Sequence, residues 1–88
     1  MIKVYHNPEF LNYSSSKPSI DMNQLIHVAT LDVSSLEDAY IATQNTDEPW
    51  QPETFARSTS VGDVMEKDQQ FYVVDNCGFE PLKEVRNV

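Results

Sequence analysis

Two prolines, Pro49 and Pro52, stand just past the middle of the sequence and divide what the chain can fold into. A helix cannot continue through them, because each removes a backbone N–H and crowds the preceding turn. Before them, Leu36, Ala39, Tyr40 and Thr43 recur at helical spacing. After them, apolar residues come only in short β-branched and aromatic runs separated by polar turns. The C-terminal half therefore reads as a β-meander, with one helix from the N-terminal half packed on it. The expected fold is α+β, a small antiparallel β-sheet or partly open barrel of about four to five strands with one α-helix.

Residues 1–5 alternate apolar Ile2 and Val4 with Lys3 and Tyr5, the period of a strand, and Asn7-Pro8 breaks the run. Residues 12–23 are Ser-rich, contain Pro18 and read as a polar loop or extended segment. Residues 25–33 form the second strand, with Leu25, His27, Ala29, Leu31 and Val33 on one face and Ile26, Val28, Thr30 and Asp32 on the other. Both faces begin apolar, which predicts a central strand that becomes exposed at Asp32. Ser34 and Glu37 have capping-box spacing, predicting a helix over 35–45 with Glu37, Asp38, Ala42 and Gln44 facing away from its buried stripe. Residues 59–65 predict a turn feeding a short strand, 66–70 a polar turn, 71–75 a clear strand, 76–78 a turn and 79–82 a last strand. Phe71, Val73 and Phe79 are expected on one face of the hairpin core.

Eighty-eight residues suffice for a single domain, residues 1–88, with a thin core. The chain carries 14 acidic and 6 basic residues, a net charge of −8. That field repels DNA, RNA and anionic membranes, so no direct nucleic-acid or membrane partner is expected. It suits a basic partner surface, although solubility alone also explains it. Cys77 is the only cysteine, which excludes an internal disulfide and a Cys-based zinc site. No apolar run approaches the ~20 residues of a membrane span. A cytoplasmic protein is expected.

Neither histidine stands at metal-ligand spacing with another ligand, and His27 reads as a satisfied core or edge histidine. Ser58-Thr59-Ser60 supplies hydroxyls without a nearby base, so turn formation explains them better than nucleophilic catalysis. The acidic pairs Glu37-Asp38 and Asp47-Glu48 mark the two ends of the helix, and Trp50 is either a core cover or an exposed anchor. No catalytic residue, metal or cofactor is expected.

The run Arg57-Ser58-Thr59-Ser60-Val61-Gly62-Asp63-Val64, then Phe71-Tyr72-Val73-Val74-Asp75 and Gly78-Phe79-Glu80-Pro81-Leu82, resembles the YodL-like domain family. Leu36-Glu37-Asp38-Ala39-Tyr40 and the approach from Pro52 to Phe55 resemble the same family, so the likeness spans about residues 25–82. Gly62, where the family often has Ser, and the short turn before Phe71 depart from its pattern. The resemblance implies a small accessory or anti-defence protein of phages, plasmids and conjugative elements. It carries over no catalytic residues.

Together these readings point to a non-catalytic binding protein, encoded by a phage or mobile element. It would inhibit or modulate a host protein with a basic surface, such as a defence nuclease, as anti-CRISPR or anti-restriction proteins do. The candidate partner-binding residues are Glu37, Asp38, Asp47, Glu48, Trp50, Arg57, Ser58 and Asp63. Two alternatives stand beside it. One is an assembly adaptor or homodimer joined through a sheet edge, the other a minimal hydrolase or nucleotide-binding enzyme using Arg57, Ser58 and Asp63.

Overall fold

A computed structural model describes residues 1–14, 20–54, 56–76 and 78–82. Strand β1 spans Ile2–His6, β2 Ile26–Leu31, β3 Val64–Lys67, β4 Gln70–Asp75 and β5 Gly78–Pro81, and helix α1 spans Leu36–Ala42. The five strands form one antiparallel sheet in the order β2-β1-β3-β4-β5, open at both edges, with α1 packed on one face. The α+β expectation holds, and the C-terminal meander is β3-β4-β5.

The alternation of β1 becomes a burial pattern. Ile2 and Val4 are fully buried and form the core with Met65, Val74 and Ala39 of the helix. Tyr5 points to the second face, in register with the paired and fully buried Val64 and Val73. The core is therefore a row of small and medium apolar side chains beneath α1. The helix buries Ala39 and Thr43 and packs Leu36 and Tyr40 at the margin, the stripe its spacing predicts.

Several expectations need correction. Residues 25–33 do not give a central strand: β2 lies at the sheet edge, and β1 is inserted between it and β3. The pairing slips between Val4 and Tyr5, which face Ala29 and His27, leaving Val28 as an extra residue on β2. This bulge flips the alternation, so His27 leaves the face of Ala29 and Leu31 and meets the Tyr5 ring at 5.4 Å. His27 is exposed and shares a hydrogen bond with Thr30 at 2.8 Å.

The helix N-cap is Ser35 rather than Ser34. Its hydroxyl accepts from the Asp38 amide at 3.0 Å, and α1 is shorter than residues 35–45. It ends where the Thr43 hydroxyl turns back to donate to the Ala39 carbonyl at 2.9 Å. Gln44 does not face away, since its side-chain amide bridges the Tyr40 and Thr59 carbonyls.

The turn over 66–70 contracts to Asp68 and Gln69, both at positive φ, which is the two-residue hairpin geometry that matches strand twist. Phe79 and Phe71 lie on opposite faces. Phe79 packs against the core with Val74, whereas Phe71 sits 6.0 Å from the Tyr5 ring. The segment before β2 contains two 3-10 turns, Phe10–Asn12 and Met22–Gln24. Residues 15–19 of the Ser-rich stretch, including Pro18, lie outside the described residues, as do Phe55 and Cys77.

Candidate functional site

Val61 and Gly62 occupy the centre of a turn in which the Asp63 amide donates to the Ser60 carbonyl at 3.0 Å. Gly62 has φ +98°, the conformation a type II turn requires at that position. A Cβ there would lie 2.8 Å from the Phe10 carbonyl oxygen, so glycine is also demanded by close approach. The turn holds Asp63 in the interior with no exposed surface. One of its carboxylate oxygens accepts from the Asn7 amide and Arg57 Nη2, both at 2.8 Å. The other accepts from the Ser60 amide and Arg57 Nη1, both at 2.7 Å. Arg57 is thus a two-pronged partner, and its guanidinium carbon lies 3.8 Å above the centre of the Phe10 ring.

The same network reaches the end of β1 and the helix C-terminus. His6 is buried, shares a 3.0 Å hydrogen bond with the Thr59 hydroxyl and stands edge-on to Trp50 at 6.1 Å. Burial lowers the His6 pKa below its ordinary value; Asp63 opposes this shift and Arg57 reinforces it. Trp50 is half-buried, and its indole N–H donates to the Arg57 carbonyl at 2.9 Å. The Asn45 amide donates to the Ser58 hydroxyl at 2.7 Å, and the Asn45 side chain accepts from the Trp50 amide at 2.9 Å. Asn45 therefore closes the proline loop at both ends.

Of the residues singled out from sequence, Trp50, Arg57, Ser58 and Asp63 come together in this network. Glu37, Asp38, Asp47 and Glu48 are all exposed. The first pair sits in the first turn of α1 and the second follows its C-terminus, so helical residues 39–42, about 6 Å of axis, and the residues 43–46 that follow the helix lie between them. Sequence reasoning missed His6, Asn7, Phe10 and Thr59 as members of the network. Asn7 and Asp63 are 56 positions apart, and no spacing rule links them.

A second feature lies between α1 and the β4–β5 hairpin. A groove of about 410 Å³ is lined by Tyr40, Ile41, Val61, Val74 and Phe79, with Glu37 and Asp75 among its polar groups. Tyr40 and Phe79 meet edge-on at 6.4 Å. Ile41 is 70% exposed and lies off the buried stripe. Sequence reasoning missed it, although an apolar residue four positions after Glu37 on the outer helix face was the signal that could have found it. Asp47 and Glu48 border a separate hollow with Asn45, Pro49 and Ala56.

Among the described residues, no group of three or more His, Cys, Asp or Glu side chains is placed to hold a metal ion. No helix there is long and apolar enough to cross a membrane. Comparisons of the chain with protein-family models, curated proteins and solved structures find no match.

Proposed function

We propose that this chain is a small acidic binding protein of a phage or mobile element that inhibits or modulates a host protein with a basic surface, such as a defence nuclease. The observation that supports this reading is the division of its polar groups. Arg57, Asp63, His6 and Thr59 direct their functional atoms toward one another, whereas Glu37, Asp38, Asp47 and Glu48 face solvent. A net charge of −8 then acts outward, on encounter with a cationic surface. The resemblance of residues 57–64 and 71–82 to the YodL-like domain supplies the biological setting.

The hydrolase alternative asks Asp63 to serve a substrate, but both its carboxylate oxygens are occupied by four donors. The edge-pairing alternative meets a bulge on β2, a Gln51 side chain donating to the Val28 carbonyl, and Pro81 on β5. The test is retention of host proteins on the immobilised chain across a salt series, with a Glu37→Gln, Asp38→Asn, Asp47→Asn, Glu48→Gln variant beside it. The reading expects a specific host protein, held at low salt and lost from the variant. Retention that ignores both salt and the four substitutions would exclude an electrostatic partner surface.

A further inference from the structure

We propose that the groove between α1 and the β4–β5 hairpin is where a basic amphipathic segment of a protein partner docks, an inference that rests on the binding-protein reading above. Its walls are apolar: Tyr40 and Ile41 from the helix, Val74 and Phe79 from the sheet, and Val61 from the turn before β3. Ile41 is the notable member, because a branched aliphatic side chain 70% exposed beside a groove contributes nothing to the core. Glu37 precedes it by four residues, so the carboxylate and the isoleucine are neighbours on one side of the helix.

The polar groups of the groove differ in availability. Asp75 already accepts from the Tyr13 hydroxyl and the Asn76 amide, both at 2.6 Å. Glu37 is exposed in the first turn of α1. An apolar side chain with a Lys or Arg about one helical turn away satisfies both features: the apolar group enters between Ile41 and Phe79, and the cation meets Glu37. The net charge of −8 favours that occupant over a second copy of this chain, which would carry the same charge into the contact.

The probe is a synthetic amphipathic Leu–Lys peptide, titrated into the isotopically labelled protein, with a Leu–Ser peptide of the same pattern as the uncharged comparison. The Ile41 and Val74 methyl signals are expected to move on titration with the Leu–Lys peptide. Ile41→Ser should weaken binding roughly tenfold or more at an unchanged melting temperature, as expected for removing one buried aliphatic contact. Glu37→Gln should flatten the salt dependence. Three results would overturn the groove: absence of Leu–Lys binding, equal binding of the Leu–Ser peptide, or loss of binding in Asp47→Asn/Glu48→Gln but not in Ile41→Ser. The third leaves the acidic-binding reading standing, with its surface moved to the far end of the helix. Conversely, groove binding without any host protein retained from lysate sinks the proposed function and leaves the groove intact.

Discussion

Asp63 shows how much a single buried carboxylate can organise. It satisfies the amides of Asn7 and Ser60 and both prongs of Arg57, joining the end of β1 to the turn before β3. Truncating it leaves two amide donors without their partner, at about 1–3 kcal/mol each. Asp63→Ala is therefore expected to lose about 3 kcal/mol or more in chemical denaturation. If it melts with the parent, the carboxylate is not structural and its place among partner contacts regains weight. His6 makes a second prediction from the same network. Its folded pKa is lowered by burial, below the ~6.5 of an unfolded histidine, so the unfolded chain binds a proton that the folded chain refuses. The sign follows: the contribution is whole above pH ~6.5 and declines as pH falls below it. The difference in melting temperature between about pH 7 and pH 5 should be larger for the parent than for His6→Asn. An equal decline in both would assign the acid sensitivity to other groups.

At the scale of elements, most local rules hold and two turns carry the connections. The β3–β4 hairpin closes through Asp68 and Gln69 without glycine, at a conformational cost that the paired strands offset. The turn before β3 is less tolerant. At Gly62, both the positive φ and the nearby Phe10 carbonyl and Tyr13 side chain oppose any Cβ. Gly62→Ala should therefore destabilise by more than the ~1–2 kcal/mol cost of a left-handed backbone alone. Gly78→Ala is the comparison: its φ is +133°, but nothing lies within 4 Å of an added Cβ, so only the backbone term applies. Thermal melts of the two variants separate crowding from conformation, and a Gly78→Ala loss equal to that of Gly62→Ala contradicts the distinction. The two phenylalanines follow the same logic. Neither belongs to the fully buried set, which consists of Ile2, Met65 and valines among its larger apolar members. Ile2→Ala should thus cost about 2–5 kcal/mol, and Phe71→Ala less than a fully buried phenylalanine would.

For the molecule as a whole, charge and shape point outward in different ways. The four carboxylates Glu37, Asp38, Asp47 and Glu48 surround the two ends of α1 rather than one face. Neutralising all four should slow association with a cationic partner and flatten its salt dependence, while leaving the dissociation rate less affected. Ile41→Ser should do the reverse, because an apolar contact acts after encounter. Stopped-flow kinetics on the two variants distinguishes the roles. Identical effects on both rates would mean that charge and apolar contact do not act at different stages of binding.

What the sequence by itself determined is local. The alternation of Ile2 and Val4, the spacing of Leu36, Ala39, Tyr40 and Thr43, the prolines and the glycine of the turn each act within a few residues, and each appears in the fold. The cap moved only from Ser34 to Ser35, a shift of one residue between equivalent hydroxyls. Tertiary structure alone decided the insertion of β1 between β2 and β3, which made an apolar segment into an edge strand. It also decided the bulge at Val28, which carried His27 to the other face. The partners of Asp63 and the groove were equally hidden. Arg57 and Ser60 lie within six positions of Asp63, but Asn7 is 56 positions away and the groove joins a helix to a distant hairpin. A period of two or of 3.6 fixes which way a side chain points but not which distant segment it will meet.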